Sequence, residues 1–554
     1  MPPESSAVSD PINDNAARIA VDQRRFPWIR RLAADYAFDF QAVAPFFSGN
    51  PSEPSAWTEA IRRAQAHIRR RNDVAALLAD QQERRDAPPA ARDASQRLTD
   101  PKTVAVVTGQ QAGLFGGPLF TLLKALTAIK LAEQVSRDHH VSTVAVFWVD
   151  AEDHDWDEVR SCTVFDEALA ASSLSLPGRT GEPAPVATVC LDSTISSTLD
   201  ELERLLPPTE FRAAIMDDLR RAYAQGTGMA SAFARWLEAV LGPRGLIVYD
   251  SSDPAAKSIA SPVFVREISS PGETVRLAAA AGAELVKRGY HAQVQAQDDA
   301  VALFYLDGGR KPLRHKDGVF TAGDETFPQG ALLQLVAARP MAFSPNVLLR
   351  PIVQDTLFPT ICYVAGPSEL AYLAQLRQVY ERFGLPMPLF YPRASATLVD
   401  SAALRFLQKY QLPLEQLQHQ DESALNQLLQ AQIPPVIEES FTRASETIVA
   451  QMTKLVEALP TLDPTLEGAA RSTLGKMQHD LETLHNKMIQ AAKRRDETLR
   501  RQFIRTRALA FPNGHAQERT IGFVSFLNQY GPALVDRLDQ LLPLDLGYHW
   551  VVAV

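Results

Sequence analysis

The order of apolar and polar positions predicts a strand, a loop, a helix and a second strand early in the chain. A β-branched run at 103–107 breaks into a glycine-bearing loop at 108–118, and an apolar, helix-forming segment follows at 119–133. The next apolar run, 144–149, is continuous, as in a strand buried on both faces, and it ends in the acidic loop 150–158. Because open α/β sheets bind ligands at the carboxyl ends of their parallel strands, we expect both loops to face one pocket.

The same patterns predict further elements around this unit. The segment 18–97 is interpreted as largely helical, 186–191 as a strand, 229–241 as an amphipathic helix and 245–250 as a third buried strand. An insertion with a hairpin-like region follows the third strand and could form a lid over the pocket.

The glycine-bearing loop is a candidate anion site. Glycines allow tight turns and close backbone approach, and a helix start favours phosphate or carboxylate. The spacing matches neither the dinucleotide fingerprint nor a Walker loop, and a tight strand–helix turn explains it equally well. The candidate ligand-binding residues here are Thr108, Gly109, Gln110, Gln111, Gly113, Gly116 and Gly117.

The acidic loop carries a candidate general base. His154 lies between Asp153 and Asp155, and a neighbouring carboxylate orients an imidazole and raises its basicity. The alternative is a solvated turn whose aspartates cap the next helix. A divalent cation is a third interpretation, but adjacent positions on one loop are an insufficient ligand set, so no metal site is predicted.

A second polar block, 343–369, is the other candidate binding region. The forked donors of Arg350 and Arg393 match carboxylates, while Asp355 can receive an ammonium group. A structural salt bridge is the alternative for Arg350, and a first-turn carboxylate that complements the helix dipole is the alternative for Glu369. The candidates are Asn346, Arg350, Gln354, Asp355, Gly366, Glu369 and, just beyond the block, Arg393.

Towards the C-terminus the apolar period becomes that of a coiled coil. Apolar positions alternate by four and three residues over 441–459 and again over 474–491, and Pro460 and Pro464 interrupt the helix between them. Two long helices joined by such a turn form an antiparallel hairpin. A single hairpin buries only one seam, so its other face should meet a partner subunit or its own core; our interpretation is a homodimer.

Composition narrows the functional classes. The chain has 554 residues, 46% of them hydrophobic and 22% charged, and a net charge of -9, which argues against nucleic acid as the main partner. Neither a secretory signal at 1–15 nor a long uncharged apolar stretch is present, so we expect a cytoplasmic protein without a membrane partner. The three cysteines are far apart and predict neither a zinc site nor disulfides.

Three blocks of residues, in the same order, carry a family resemblance. They comprise 106–114, 117–119, 147–149, 152–155 and 157–159; then 346–351, 354–355, 359–360 and 363–369; and finally 511–514 and 517–519. Together they resemble the cysteine-adding enzyme family of bacillithiol biosynthesis, the BshC family.

The resemblance implies an α/β fold with a Rossmann-like parallel sheet core and connecting-peptide insertions, plus a long antiparallel α-helical coiled coil that forms a homodimer. The expected domains are a nucleotide-fold core at 1–400 with insertions at about 160–345, a dimerisation domain at 401–510, and a segment at 511–554 that returns to the core.

The activity that the resemblance implies is the addition of L-cysteine to glucosaminyl-malate in the last step of bacillithiol biosynthesis. Amide formation from a free carboxylate requires activation, so ATP/ADP with Mg²⁺ is the cofactor hypothesis. His154 would act as the base on the attacking amine, with help from Asp153 or Asp155. The alternatives are a nucleotidyltransferase-like enzyme on another small acceptor and a non-catalytic coiled-coil assembly protein.

Overall fold

A computed structural model describes residues 17–179, 184–294, 297, 299–431, 434–495 and 497–554, with only the backbone at 492–495. The polar stretch 1–15 lies outside these ranges. The strands are β1 (Arg18–Asp22), β2 (Val104–Gln110), β3 (Thr143–Val149), β4 (Ser161–Phe165), β5 (Ala171–Ser175), β6 (Ile247–Asp250), β7 (Ala300–Leu306), β8 (Arg310–Lys316), β9 (Val319–Ala322), β10 (Glu325–Pro328), β11 (Phe343–Pro345), β12 (Thr360–Ala365), β13 (Leu389–Pro392), β14 (Ser395–Val399) and β15 (Tyr548–Ala553).

The α-helices are α1 (Arg31–Phe38), α2 (Phe40–Val43), α3 (Pro54–Ala66), α4 (Arg71–Arg85), α5 (Pro89–Arg97), α6 (Leu119–His139), α7 (Trp156–Val159), α8 (Thr194–Leu205), α9 (Arg212–Ala222), α10 (Met229–Leu241), α11 (Pro254–Ser269), α12 (Glu273–Lys287), α13 (Gln329–Ala338), α14 (Arg350–Leu357), α15 (Pro367–Leu373), α16 (Arg377–Phe383), α17 (Ser401–Tyr410), α18 (Ser423–Gln430), α19 (Pro435–Ala458), α20 (Leu466–Arg495), α21 (Glu497–Ala510), α22 (Gln517–Thr520), α23 (Phe523–Tyr530) and α24 (Ala533–Leu541). Within the described ranges, none of these helices has the length and apolar character needed to cross a membrane.

A five-stranded parallel sheet, in the order β13-β12-β2-β3-β6, organises the larger unit. Strands β3 and β12 are buried along their whole length, as their continuous apolar runs predict. Helix α6 packs on β2 and β3, and helix α10 packs on β6. The predicted α/β fold with a parallel sheet is therefore confirmed.

Strand β2 is longer than the sequence predicts, because it stays paired with β3 as far as the register Gln110↔Val149. Thr108, Gly109 and Gln110 thus belong to the strand and not to the loop. Only glycine fits at 109, since a Cβ there would lie 2.7 Å from the carbonyl oxygen of Trp148. The strand consequently carries its backbone up to the edge of the sheet where the loops begin.

Between β6 and β12 the chain forms a second, antiparallel sheet in the order β10-β9-β8-β7-β11. Its strands contribute to the same hydrophobic core as the N-terminal helices and the parallel sheet, through residues such as Leu303, Phe320 and Phe343. This insertion places the β7–β8 turn and the residues after β11 near the carboxyl edge of the parallel sheet.

The larger unit is discontinuous in sequence: it comprises the described residues up to Leu398 together with Gln517–Val554. A three-stranded sheet in the order β1-β15-β14 joins its two ends, and β15 pairs antiparallel with β1 from Arg18↔Val552 to Asp22↔Tyr548. The sequence interpretation of 18–97 as largely helical misses β1.

The second unit, Val399–Ala516, is helical. Its two longest helices, α19 and α20, are joined by the short connection 459–465, and far from that connection the ring of Phe441 stacks on His485 with 4.8 Å between centroids. Helices that are linked at one end and in contact at the other run antiparallel. Large apolar side chains stay exposed on them, among them Val436, Leu455 and Leu484.

Candidate active site

A cavity of about 760 Å³ opens at the carboxyl edge of the parallel sheet. Both predicted loops line it, because β2 ends at Gln110 and β3 leads into Asp150. The segment after β12, the residue after β13 and the insertion complete the wall. The lining residues used below are Gln110, Gln111, Lys124, Trp148, Asp150, Glu152, Asp153, Phe304, Arg310, Asn346, Arg350, Tyr363, Gly366, Glu369, Tyr372 and Arg393.

Arg350 supplies a buried positive charge to this cavity. One of its nitrogens donates to Gln354 Oε1 at 3.0 Å and the other to the Tyr372 hydroxyl at 3.0 Å, and both partners are neutral. Among the described residues no carboxylate lies within 4 Å of its guanidinium, so the salt-bridge alternative does not describe it. Burial opposes the charge, but the Tyr372 and Tyr363 hydroxyls and Asp150 hold the pKa of Arg350 above its usual value.

Two further donors in the wall have no partner within the described part of the chain. They are Nε1 of Trp148, which is 2% exposed, and Nε of Arg310. Arg310 comes from the insertion: its guanidinium lies 3.9 Å from the ring centroid of Phe304 and donates to the carbonyl of Pro345 at 3.1 Å. Buried donors without acceptors are costly, so an acceptor such as a carboxylate or phosphate would complete this wall.

Asp150 faces these cations from the end of β3. Burial raises the pKa of Asp150 to about 6 against the opposing charge of Arg350, and Asp153 adds to the rise. The neighbouring Glu152 differs, because it is ion-paired with the buried Lys257. A carboxyl that changes its protonation state near neutral pH is suited to accept a proton from an amine nucleophile.

The three predicted catalytic residues, Asp153, His154 and Asp155, have different surroundings in the structure. Asp153 lines the cavity and accepts a hydrogen bond from Gln111 Nε2 at 2.6 Å. His154 is not among the lining residues, and its Nδ1 lies 3.4 Å from Asp153 Oδ1 and 3.1 Å from an Arg310 nitrogen. Asp155 Oδ1 accepts from the backbone N–H of Glu158 at 3.1 Å and caps α7, which is the capping alternative.

Of the residues predicted in the second polar block, some line the cavity and others do not. Asn346 lines the cavity, and its Oδ1 accepts the backbone N–H of Leu348 at 3.0 Å. Gln354 and Asp355 lie outside the lining. Asp355 accepts hydrogen bonds from the Tyr380 hydroxyl at 2.6 Å and from Gln354 at 2.9 Å, so these neighbours occupy the carboxylate that was predicted to receive an ammonium group. Gln354 instead positions Arg350.

The buried Lys124 forms an ion pair with the half-buried Glu369 in the wall. Glu369 also accepts hydrogen bonds from the Gly366 N–H at 2.6 Å and from the Tyr363 hydroxyl at 2.9 Å. It is therefore both a carboxylate in the first turn of α15 and a residue of the cavity wall. Lys124 donates to the carbonyl of Gly109 at 2.8 Å. Its charge is therefore committed within the protein.

Arg393 also lines the cavity but is already paired. Its two terminal nitrogens donate to the two Glu518 oxygens at 3.0 and 2.6 Å, in a buried bidentate contact. Burial would raise the pKa of Glu518, but Arg393 outweighs it and the pKa falls to about 2. Of the two predicted carboxylate-binding arginines, only Arg350 has no carboxylate of its own among the described residues.

The glycine loop faces a second cavity of about 400 Å³. Gly113 and Gly117 line it, whereas Gly116 packs against Phe523: its φ is +97°, and a Cβ there would clash with that ring. Thr108 donates to the Val364 carbonyl at 2.9 Å within the sheet. The two cavities are neighbours that share Gln110, Gln111, Phe120, Glu158 and Arg519.

Several lining residues were missed by the sequence interpretation. Asp150 and Trp148 had a usable signal, because they stand at the end of a buried strand, where ligands bind in open sheets. Lys124 and Tyr372 lie on helices with ordinary apolar patterns. Arg310 had no local signal, since only the folding of the insertion brings it to the cavity.

Comparison with known protein families covers almost the whole chain. Residues 18–394 match the family model described as Bacillithiol biosynthesis BshC, N-terminal Rossmann-like domain. Residues 396–554 match the model described as Bacillithiol biosynthesis BshC, C-terminal coiled-coil domain.

Curated relatives agree with this result. A protein of Salinibacter ruber is 36% identical over 94% of this chain and 96% of its own length. A protein of Koribacter versatilis is 36% identical over 92% and 95%, and one of Symbiobacterium thermophilum 34% over 93% and 96%. All three bear the name "Putative cysteine ligase BshC". The resemblance carried by the three sequence blocks is thus confirmed, and the chain belongs to the BshC family of bacillithiol biosynthesis.

Proposed function

We propose that this protein is a cysteine ligase that forms an amide between L-cysteine and glucosaminyl-malate, the last step of bacillithiol biosynthesis. The observation that carries the proposal is Arg350, a buried cation that faces the first cavity and has no carboxylate of its own among the described residues. The malate part of the acceptor is a dicarboxylate, and a guanidinium binds carboxylates through two parallel hydrogen bonds. The names of the relatives supply the reaction class.

The other residues of the first cavity suit the carboxylate and amine groups of glucosaminyl-malate. Nε1 of Trp148 and Nε of Arg310, which have no partner in the described part of the chain, can donate to carboxylate oxygens. Asp153, which lies 3.6 Å from another Arg310 nitrogen, also offers a carboxylate to an amine. Asp150, with a pKa near 6, is our candidate for the base that takes the proton from the attacking amine. We assign this role to Asp150 in place of His154, because Asp150 lines the cavity.

ATP with Mg²⁺ stays a proposal. ATP would supply a phosphoryl or adenylyl group to the reacting carboxylate, with loss of ADP or pyrophosphate, and phosphate or AMP would then leave when the amine attacks. The unpaired donors Trp148 Nε1 and Arg310 Nε would fit phosphate oxygens as well as carboxylate oxygens. No group of three or more His, Cys, Asp or Glu in the described ranges could hold a metal, so Mg²⁺ would need ligands from the nucleotide.

The direct test is an omission series. Purified protein is incubated with glucosaminyl-malate, L-cysteine, ATP and magnesium, each is omitted in turn, and mass spectrometry follows the new thiol. We expect product only in the complete mixture. Product without ATP would remove the ATP proposal and leave the ligation, whereas no product from folded protein in any mixture would contradict the ligase.

The Arg350→Gln variant sharpens this test. Loss of the guanidinium should raise the KM for glucosaminyl-malate by about 10–100-fold with little change in KM for L-cysteine, since one charge-assisted contact is removed. The matched control is Arg62→Gln, an exposed arginine of α3 that pairs with Glu59. An equal rise in both KM values would contradict the assignment of Arg350 to the acceptor.

We also propose that the helical unit mediates homodimerisation. The apolar side chains of Val436, Leu455 and Leu484 are 68, 48 and 51% exposed on α19 and α20, and a second copy of the hairpin would bury them. Light scattering of the purified protein should give twice the mass of one chain, and Leu455→Glu together with Leu484→Glu should give the monomer. A wild-type monomer at micromolar concentration would contradict the proposal.

A further inference from the structure

The second cavity has the features of an amino-acid site rather than a phosphate site. Its charged lining residues, among those described, are one acid, Glu158, and one base, Arg519. A lining with one charge of each sign matches a zwitterion, which carries one ammonium and one carboxylate. A polyphosphate would instead bring several negative charges to a lining whose one cation, among the described residues, is Arg519, which is unfavourable.

The start of α6, a helix of 21 residues, lines this cavity. Pro118, Phe120 and Thr121 line the cavity there. The backbone N–H groups of Leu119 and Thr121 already donate to the carbonyls of Ile521 and Pro118 at 2.8 and 2.9 Å, so the helix start attracts a carboxylate through its dipole and not through these two donors. An independent observation is the Thr121 hydroxyl: the residue is fully buried, and its Oγ1 has no hydrogen-bond partner in the described ranges. A carboxylate oxygen would supply the missing acceptor.

Glu158 offers this cavity a carboxylate for an ammonium group. Glu158 is exposed to solvent and receives one hydrogen bond from Gln111 Nε2 at 2.9 Å, which leaves acceptor capacity on its two oxygens. Val159 and the neutral thiol of Cys162, whose pKa burial raises to about 12, also line the cavity. Apolar and sulfur atoms make a suitable wall for a small thiol side chain.

We infer that the second cavity binds the L-cysteine zwitterion, with its carboxylate at Thr121 and the start of α6 and its ammonium at Glu158. The inference rests on the proposed ligase function and assigns its two substrates to two neighbouring cavities. Gln110, Gln111, Phe120, Glu158 and Arg519 belong to the wall that both cavities share. An amino acid held there would lie next to an acceptor in the first cavity.

The test is calorimetric titration of the full chain, in saturating glucosaminyl-malate and without ATP. The three probes are L-cysteine, cysteamine and 3-mercaptopropionate. Cysteamine lacks the carboxylate of cysteine, and 3-mercaptopropionate lacks its ammonium group. Thr121→Val should raise the Kd for L-cysteine about 10-fold and leave cysteamine unchanged. Glu158→Gln should raise the Kd for L-cysteine at least about 10-fold and leave 3-mercaptopropionate unchanged. Thr121→Ser should bind L-cysteine like the wild type, because it keeps the hydroxyl.

Matched controls are Thr58→Val on the exposed face of α3 and Asp157→Asn, which lies beside Glu158 but outside both cavities. Wild-type affinity for L-cysteine in both Thr121→Val and Glu158→Gln, or a selective loss of ATP binding in Thr121→Val, would overturn the inference while the ligase proposal stands. A wild-type protein that binds none of the three probes would overturn the ligase proposal and the inference with it. A thermal melt of each variant verifies that it is folded.

Discussion

The Asp150→Asn variant should lose about 10²–10⁴-fold in kcat with KM values within a few-fold of wild type, because an amide cannot accept the proton of the attacking amine. Asp150 is the cavity carboxyl whose pKa burial raises to about 6. The wild-type rate should therefore fall as pH drops through about 6, and the residual rate of the variant should lack this step. Steady-state kinetics from pH 5 to 8 measures both effects.

Asp157→Asn serves as the control for this variant, since it removes one negative charge from the same loop at a side chain that is 81% exposed. It should keep the wild-type rate and pH profile. If Asp150→Asn retained more than about a tenth of the wild-type kcat, the assignment of the base would be wrong.

The same substitution should stabilise the fold. The pKa of Asp150 is higher in the folded protein than the ordinary 3.8, so its contribution to stability is present below about pH 4 and is lost as pH rises through 6. The pKa difference sets an upper bound of about 3 kcal/mol at neutral pH, and partial exposure of the side chain reduces the expected gain to about 1–2 kcal/mol. Urea unfolding at pH 7 should show this gain, and none at pH 4.

The second large effect concerns Glu518. Glu518→Gln should lower the free energy of unfolding by about 3–5 kcal/mol, because it leaves the buried guanidinium of Arg393 without its carboxylate. The pKa of Glu518 is depressed to about 2 from 4.5, so the stability from this pair is present above about pH 4.5 and is lost as pH falls towards 2. Urea unfolding at pH 7 and pH 3 should show a large difference between wild type and variant at pH 7 and a smaller one at pH 3.

The control is Glu59→Gln, which breaks the exposed pair with Arg62 and should leave the unfolding midpoint unchanged. The double variant Arg393→Met with Glu518→Leu should recover much of the loss, since no charge then remains buried. A Glu518→Gln variant as stable as the Glu59→Gln control would show that the buried pair contributes nothing to the fold.

Elements with strong local patterns could be predicted from the sequence. The helix predicted at 229–241 has those bounds in α10, and the buried strands at the centre of the parallel sheet are present. The strand predicted at 186–191 is wrong: Val186–Thr188 is a 3₁₀ helix that follows Pro185. Strand β1 was missed because its partner β15 lies more than 500 residues away, and no local pattern records such a pairing.

At the candidate site, too, local patterns could be predicted from the sequence and long-range contacts could not. Asp153 could be found because it is a carboxylate shortly after the buried strand β3. Arg350 could be found because it is a carboxylate-binding side chain shortly before the buried strand β12. Asp355 belongs to the same polar block, but Tyr380 on a later helix occupies its carboxylate. The partner of Arg393 comes from Glu518, which is far away in sequence. Residue type and spacing therefore identified candidate groups, while long-range partners decide which of them are free to bind a ligand.

The discontinuity of the larger unit has a consequence during translation. Its parallel sheet is complete once β13 has been synthesised, yet Glu518 and β15 follow only after the helical unit 399–516. On a ribosome that has not yet reached residue 518, the guanidinium of Arg393 has no counter-ion from α22 and β1 lacks its neighbour. The candidate site is therefore incomplete until the helical unit has been synthesised, and we expect the unfinished core to be most prone to misfolding in this interval.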